Sequence, residues 1–181
     1  MTFITIHQLE LEYIGLNSTD PTAMQDDEIA LSHALLEPIA LLSSHLTFLR
    51  ATLTLTTVTA LYRRISSHLA EIILQREILY RGSRQITLRE GKAILAECEL
   101  WIETCHAALN GVNRSRVERP WLGLYQAGKL VSMEGDLWDR VLDLTFKTKS
   151  NEEWENEMME AVGVCELSQE DAAKVLRSRE L

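Results

Sequence analysis

Apolar side chains in this chain return at helical intervals, and that spacing constrains the fold more than any other feature. Ile29, Leu35, Leu36, Ile39, Leu42, Leu46, Leu49 and Leu53 recur at three- and four-residue steps. Val58, Leu61, Ile65, Leu69, Ile72 and Leu79 carry the period on to Gly82. Steps of three and four place side chains on one side of an α-helix, whereas a strand buries alternate residues. The run Ala51 to Ala60, ATLTLTTVTA, has a β-branched alternation that suits a strand. The helical period passes through it, so it is assigned to helix.

Punctuation along the chain agrees with that reading. Asp20-Pro21 pairs an N-cap with proline at the first helical position, and Pro38 is expected to kink the helix that follows. Thr87-Leu88-Arg89-Glu90 is a capping box that opens another helix, and Asn110-Gly111 closes it. After a loop rich in Arg and Asn, Pro120-Trp121 starts a short helix, with Gly123, Gly128 and Gly135 breaking the region into small pieces. Ser150 and Ser168 each precede acids in N-cap patterns, and the helices they open end near Gly163 and Arg179. No Gly-rich phosphate loop, hairpin signal or tandem repeat interrupts the series. The expected architecture is all-α.

With 181 residues, 46% of them hydrophobic, the chain can bury one sizeable core, as one domain or two small helical ones. Its cysteines, Cys98, Cys105 and Cys165, form no disulfide framework, and free thiols in the cytosol are expected. MTFITIHQLELEY lacks the basic start and apolar run of a secretory signal. The most membrane-like stretch, Ile39 to Leu61, contains His45 and Arg50. Since a central Arg costs roughly 2.5 to 3.5 kcal/mol on the lenient insertion scale, no transmembrane helix is expected.

The net charge of -9 is unevenly distributed. Residues 1–49 carry seven acids and no Lys or Arg, whereas residues 50–92 carry eight bases against three acids. An acidic chain is a poor nucleic-acid binder, but its basic middle, with Arg76, Arg81, Arg84, Arg89 and Lys92, can meet an acidic protein or a lipid surface. The simpler reading of that middle is a solvated, salt-bridged helix surface.

The stretch ECELWIETCHAAL, from Glu97 to Leu109, poses a choice between a metal site and a buried helix face. Glu103 and His106 have the Glu-x-x-His spacing of bundle di-iron proteins, but such sites need two of these motifs and a further Glu from each of two helices. Cys98 and Cys105 are two turns apart, outside the spacing of structural zinc pairs, and with Trp101 and Ala108 they form one apolar stripe. Core is therefore preferred for the stripe, and a solvated face for Glu99, Glu103 and His106. Ser66-Ser67-His68 and Ser43-Ser44-His45 put Ser and His on adjacent helical positions that point apart, which excludes a nucleophile and base pair. Trp101, Trp138 and Trp154 are assigned to the core. Trp121, behind Arg114, Arg116 and Arg119, is the candidate surface anchor for a partner.

ECELWIETCHAAL, together with ILQREILYRGSRQITLREGKAI, RVERPWLGLYQAGKLV and NEEWENEMMEAVGVCELSQEDAAKVL, resembles the C-terminal region of the RINT/Tip family. Members are subunits of the tethering complex on the endoplasmic reticulum that captures retrograde vesicles from the Golgi. The resemblance covers Thr57 to Arg179 and implies that residues 21–181 form a C-terminal helical domain, with residues 1–20 unmatched. It further implies a helical bundle or rod of the tethering-complex type, with no enzyme activity and no cofactor. The expected partners are a SNARE and other tether subunits, with peripheral location at the endoplasmic-reticulum membrane. Family members are several times longer, so the N-terminal portion that joins the other subunits is expected to be missing here. Two alternatives come from other classes: a metal-dependent helical-bundle oxidoreductase built round Glu103 and His106, and a peripheral lipid-binding protein using the basic middle.

Overall fold

The computed structural model describes residues 35–82, 84–147, 150–163 and 166–180, and the architecture is all-α. In chain order the α-helices are α1 (Leu36–Thr52), α2 (Leu55–Ile73), α3 (Leu88–Ala108), α4 (Arg114–Glu118), α5 (Leu122–Ser132), α6 (Asp136–Lys147), α7 (Asn151–Val162) and α8 (Gln169–Arg177). A π-helical run, Leu74–Leu79, continues from α2, and a 3₁₀ turn, Arg119–Trp121, links α4 to α5. The helix start expected at Asp20-Pro21 lies outside the described residues.

The stretch Ala51 to Ala60 is helical on both sides of a break that the periodicity does not show. Leu53 is extended at the end of α1, and α2 begins at Leu55. Thr54 makes the restart possible: its Oγ1 accepts the Thr57 N–H at 3.4 Å and its carbonyl accepts the Val58 N–H at 3.0 Å. The two helices are thus separated by a threonine cap, not joined as one rod. Pro38 does not kink a helix as expected. It lies in the first turn of α1, where a missing N–H leaves no intrahelical bond unmade.

Other caps lie where the sequence puts them. The Thr87 hydroxyl accepts the Glu90 N–H at 3.2 Å while Glu90 Oε2 accepts the Thr87 N–H at 2.9 Å, a reciprocal capping box. Ser150 and Ser168 cap α7 and α8, and Gly163, at φ 102°, ends α7. The Arg-rich segment expected as loop is instead the helix α4, capped by Asn113, whose side chain accepts the Ser115 N–H at 2.9 Å.

The described residues divide into two compact units, one formed by residues 35–72 and 99–121, the other by residues 73–98 and 122–180. In the first, Leu42 and Leu46 of α1, Val58, Tyr62 and Ile65 of α2, Trp101 and Cys105 of α3, and Val117 of α4 are buried. In the second, α8 packs against α5, α6, α7 and the π-helical run. Its buried side chains are Ala172, Ala173, Val175 and Leu176, two small residues followed by two branched ones. Just beyond α8, Ile86 donates its N–H to the Ser178 carbonyl at 2.8 Å and accepts the Glu180 N–H at 2.9 Å. Arg179 donates to the Met133 carbonyl and lies 4.0 Å above the Trp138 ring, which satisfies part of a buried guanidinium.

Close approach of α3 and α5 requires glycine. A Cβ on Gly91 would stand 2.2 Å from the Val131 carbonyl oxygen, and one on Gly128 would stand 3.2 Å from Leu95 Cα. Gly123 and Gly128 therefore do not break the chain as expected; both lie inside α5, and the turn occurs at Gly135, with φ 66°. Gly91→Ala should destabilise the second unit by at least about 1 to 3 kcal/mol through overpacking against backbone. Gly123→Ala, with open space at its Cβ, should be neutral or stabilise by roughly 0.4 to 1 kcal/mol. Urea unfolding of both variants checks the contrast, and equal midpoints would overturn the close-approach account.

Candidate interaction surface

The segment Asn113 to Trp121 joins an exposed charged face to a buried polar contact of the first unit. Residues four apart on a helix share a side, so Val117 and Trp121 fall together, with α4 passing directly into the 3₁₀ turn. Arg116 and Arg119, three apart, share another side and are exposed. Arg114 is also exposed, and its guanidinium binds the carboxylates of Glu103 and Glu118, each at 2.6 Å.

The surface placement expected for Trp121 is corrected by its burial. Its side chain is 0% exposed, and its ring stacks on Trp101 with centroids 5.7 Å apart and planes inclined by 16°. Trp121 Nε1 donates to the Tyr62 hydroxyl at 3.0 Å, and that hydroxyl donates to the Val117 carbonyl at 2.6 Å. A buried indole N–H needs an acceptor, and the hydroxyl of Tyr62 supplies one while donating its own hydrogen bond to the backbone. Burial pushes the Tyr62 hydroxyl far above its ordinary value of 10.0, with Cys105 adding to the shift, so it stays protonated. The signal that could have found this arrangement is the i,i+4 spacing of Val117 and Trp121. Asn113 and Pro120, which favour loop, hide it in the sequence.

The stripe Cys98, Trp101, Cys105 and Ala108 is buried throughout. Burial pushes the Cys105 thiol up to about 12, opposed by its contact with the Tyr62 hydroxyl, which makes it a packing group instead of a nucleophile. Glu103 is exposed and engaged by Arg114, and His106 is half-buried. Among the described residues no group of three or more His, Cys, Asp or Glu side chains converges as a metal site. Cys165 lies outside the described residues. Arg116 and Arg119 offer two exposed guanidiniums on one side of a short helical segment whose inner side is fixed by Val117 and Trp121, with Arg114 paired to Glu103 and Glu118. Such a surface suits carboxylates, which guanidinium forks bind in pairs of hydrogen bonds.

No family model, curated protein or solved structure matches this chain.

Trp121→Ala should cost about 3 to 5 kcal/mol, the range for removing a large buried aromatic. Tyr62→Phe should cost about 1 to 3 kcal/mol, because it strands the indole N–H and the Val117 carbonyl together. Denaturant titrations followed by circular dichroism check both. A Trp121→Ala variant as stable as wild type would restore the surface placement.

Proposed function

We propose that this chain is a noncatalytic vesicle-tethering subunit fragment acting in Golgi-to-endoplasmic-reticulum retrograde transport. It binds a SNARE or other tether subunits through helical surfaces. The observation that carries the reading is the likeness of Thr57 to Arg179 to the C-terminal region of the RINT/Tip family, spread over four separate stretches of sequence. The all-α architecture is compatible with it. So is the arrangement of Arg114, Arg116 and Arg119, which presents charge to a partner from a helix with a fixed inner side. Helix-on-helix contact of this kind needs no cofactor, and the work is done by complementary surfaces.

No helix among the described residues is long and apolar enough to cross a membrane. Under this reading, association with the endoplasmic-reticulum membrane is peripheral and runs through protein partners. Salt or carbonate washing should then release the protein from the membrane fraction.

The direct test is charge reversal on the exposed face. Arg116→Glu combined with Arg119→Glu should leave stability within about 0.5 kcal/mol, as for surface substitutions generally, and should reduce capture of tether subunits and SNAREs from lysate. Quantitative mass spectrometry of material bound to wild type and variant reads the difference. An unchanged set of partners would remove this face from the proposal; absence of every tethering protein from the wild-type capture would overturn the function itself.

A further inference from the structure

The basic run in the second unit forms a more elaborate arrangement than charge counting suggests. From Arg76 to Lys92 there are five bases and two acids, whereas residues 122–181 carry seven bases and thirteen acids. Arg81 and Arg84 each donate to the same oxygen, Glu90 Oε1, at 2.8 Å. The other oxygen, Oε2, accepts the Thr87 N–H at 2.9 Å and the Thr87 hydroxyl at 3.1 Å. The capping box of α3 therefore holds one carboxylate rigidly, and that carboxylate orients two guanidiniums. With two positive charges on one negative charge, the cluster keeps a net positive charge and a surplus of N–H donors.

Arg76, exposed, lies four residues before Tyr80, about one turn earlier on the same helical run. Burial pushes the neighbouring Glu77 carboxyl above its ordinary value of 4.5 while Arg81 and Arg76 pull it down. The backbone beneath is unusual: Leu74–Leu79 is π-helical, and the Tyr80 N–H closes the run on the Gln75 carbonyl at 2.7 Å. π-Helical turns are rare and concentrate at functional sites. Tyr80, at its end, is 71% exposed. An exposed aromatic side chain that directly precedes the oriented Arg81 in sequence has the composition of an interface centre, where Tyr and Arg are both enriched.

We propose that Arg76, Tyr80, Arg81 and Arg84 form a docking site for an acidic protein segment, whose carboxylates meet the guanidiniums and whose apolar side chains cover Tyr80. Glu90 acts as a positioning residue. By fixing Arg81 and Arg84 before binding, it lowers the rotamer entropy lost when the partner arrives. Charge complementarity selects the partner class. An anionic bilayer or a nucleic acid presents a broad negative surface to a chain of net charge -9, so the thirteen acids of residues 122–181 oppose its approach. A short acidic segment can meet the arginines alone, since charges beyond about 8 Å are screened at physiological salt. Arg114, Arg116 and Arg119 belong to the other unit.

The test uses the full chain and a fluorescein-labelled peptide of Asp and Glu residues flanking one Phe, with an Asn/Gln counterpart as control, read by anisotropy. The acidic peptide should bind and weaken steeply as salt rises. Arg76→Glu with Arg84→Glu should lower its affinity at least about tenfold, and Tyr80→Ser, at a position with little packing to lose, should lower it several-fold. Arg116→Glu with Arg119→Glu should leave it unchanged, which separates this site from the proposed tethering face. Circular dichroism accompanies each variant, and if the double arginine variant unfolds, Tyr80→Ser and Arg76→Gln decide instead. Equal binding of the Asn/Gln peptide, or undiminished binding by the folded variants, would overturn the proposal. So would flotation of the chain on phosphatidylserine vesicles that depends on these residues while the peptide fails to bind.

One further expectation follows from Glu90 itself. Burial opposes its ionisation, but the Thr87 N–H, the nearby Arg81 and the Thr87 hydroxyl together hold its carboxyl below its ordinary value of 4.5. A depressed carboxylate stabilises the folded state above its unfolded value and loses that contribution as pH falls through the folded one. Thermal melts should therefore show Glu90→Gln less stable than wild type at pH 7, with the gap closing as pH drops below about 4. Glu77, shifted the other way, contributes with opposite sign, and the wild-type-minus-variant difference isolates Glu90. A gap independent of pH would show that the shift does not contribute to folding.

Discussion

The hydroxyl of Tyr62 is the joint of the first unit. It accepts from the Trp121 indole and donates to the Val117 carbonyl, so two chain segments distant in sequence satisfy one another inside an apolar surrounding. Removing it is costly, because a buried donor or acceptor left without its partner loses the hydration it had in the unfolded chain. Trp101 closes the arrangement from α3 by stacking on Trp121, and the Cys105 thiol packs beside the tyrosine. The result fixes the inner side of α4. Arg114, Arg116 and Arg119 are consequently presented from a backbone that is held in place, not from a floppy loop.

The second unit solves a different problem. Its helices carry many acids, and α8, only nine residues long, has to touch several neighbours at once. Ala172 and Ala173 let those neighbours approach, while Val175 and Leu176 fill the remaining space. Gly91 and Gly128 do the same for α3 and α5, where a single methyl group would meet backbone. Close-packed interiors leave no slack for such a group. Polar closure comes from Ile86, paired on both sides by Ser178 and Glu180, and from Arg179 over Trp138.

Charge takes its meaning from these scaffolds. In the Glu90 cluster a helix cap, two guanidiniums and a carboxylate are one connected object, and its protonation is tied to folding through the Thr87 bonds. By contrast, pairs such as Lys147 with Asp143 are exposed i,i+4 contacts of the ordinary kind, worth little to stability. The two kinds look alike as sequence, since both are an acid a few residues from a base.

The sequence alone determined that the described residues are helical and where three of their helices are capped. Those features are local: periodicity of three and four, Thr87 with Glu90, Ser150 and Ser168 each act within a turn or two of backbone. It also determined that Cys98, Trp101, Cys105 and Ala108 form a buried stripe, because seven residues is two helical turns. Tertiary structure decided the rest. Trp121 is buried because Tyr62, 59 residues away, offers an acceptor for its indole N–H, and no local pattern contains that information. Gly91 and Gly128 are packing residues because another helix lies against them, and the break at Leu53–Thr54 stands inside an unbroken apolar period. Local rules set which turns form; only long-range contacts set which of their faces meet water.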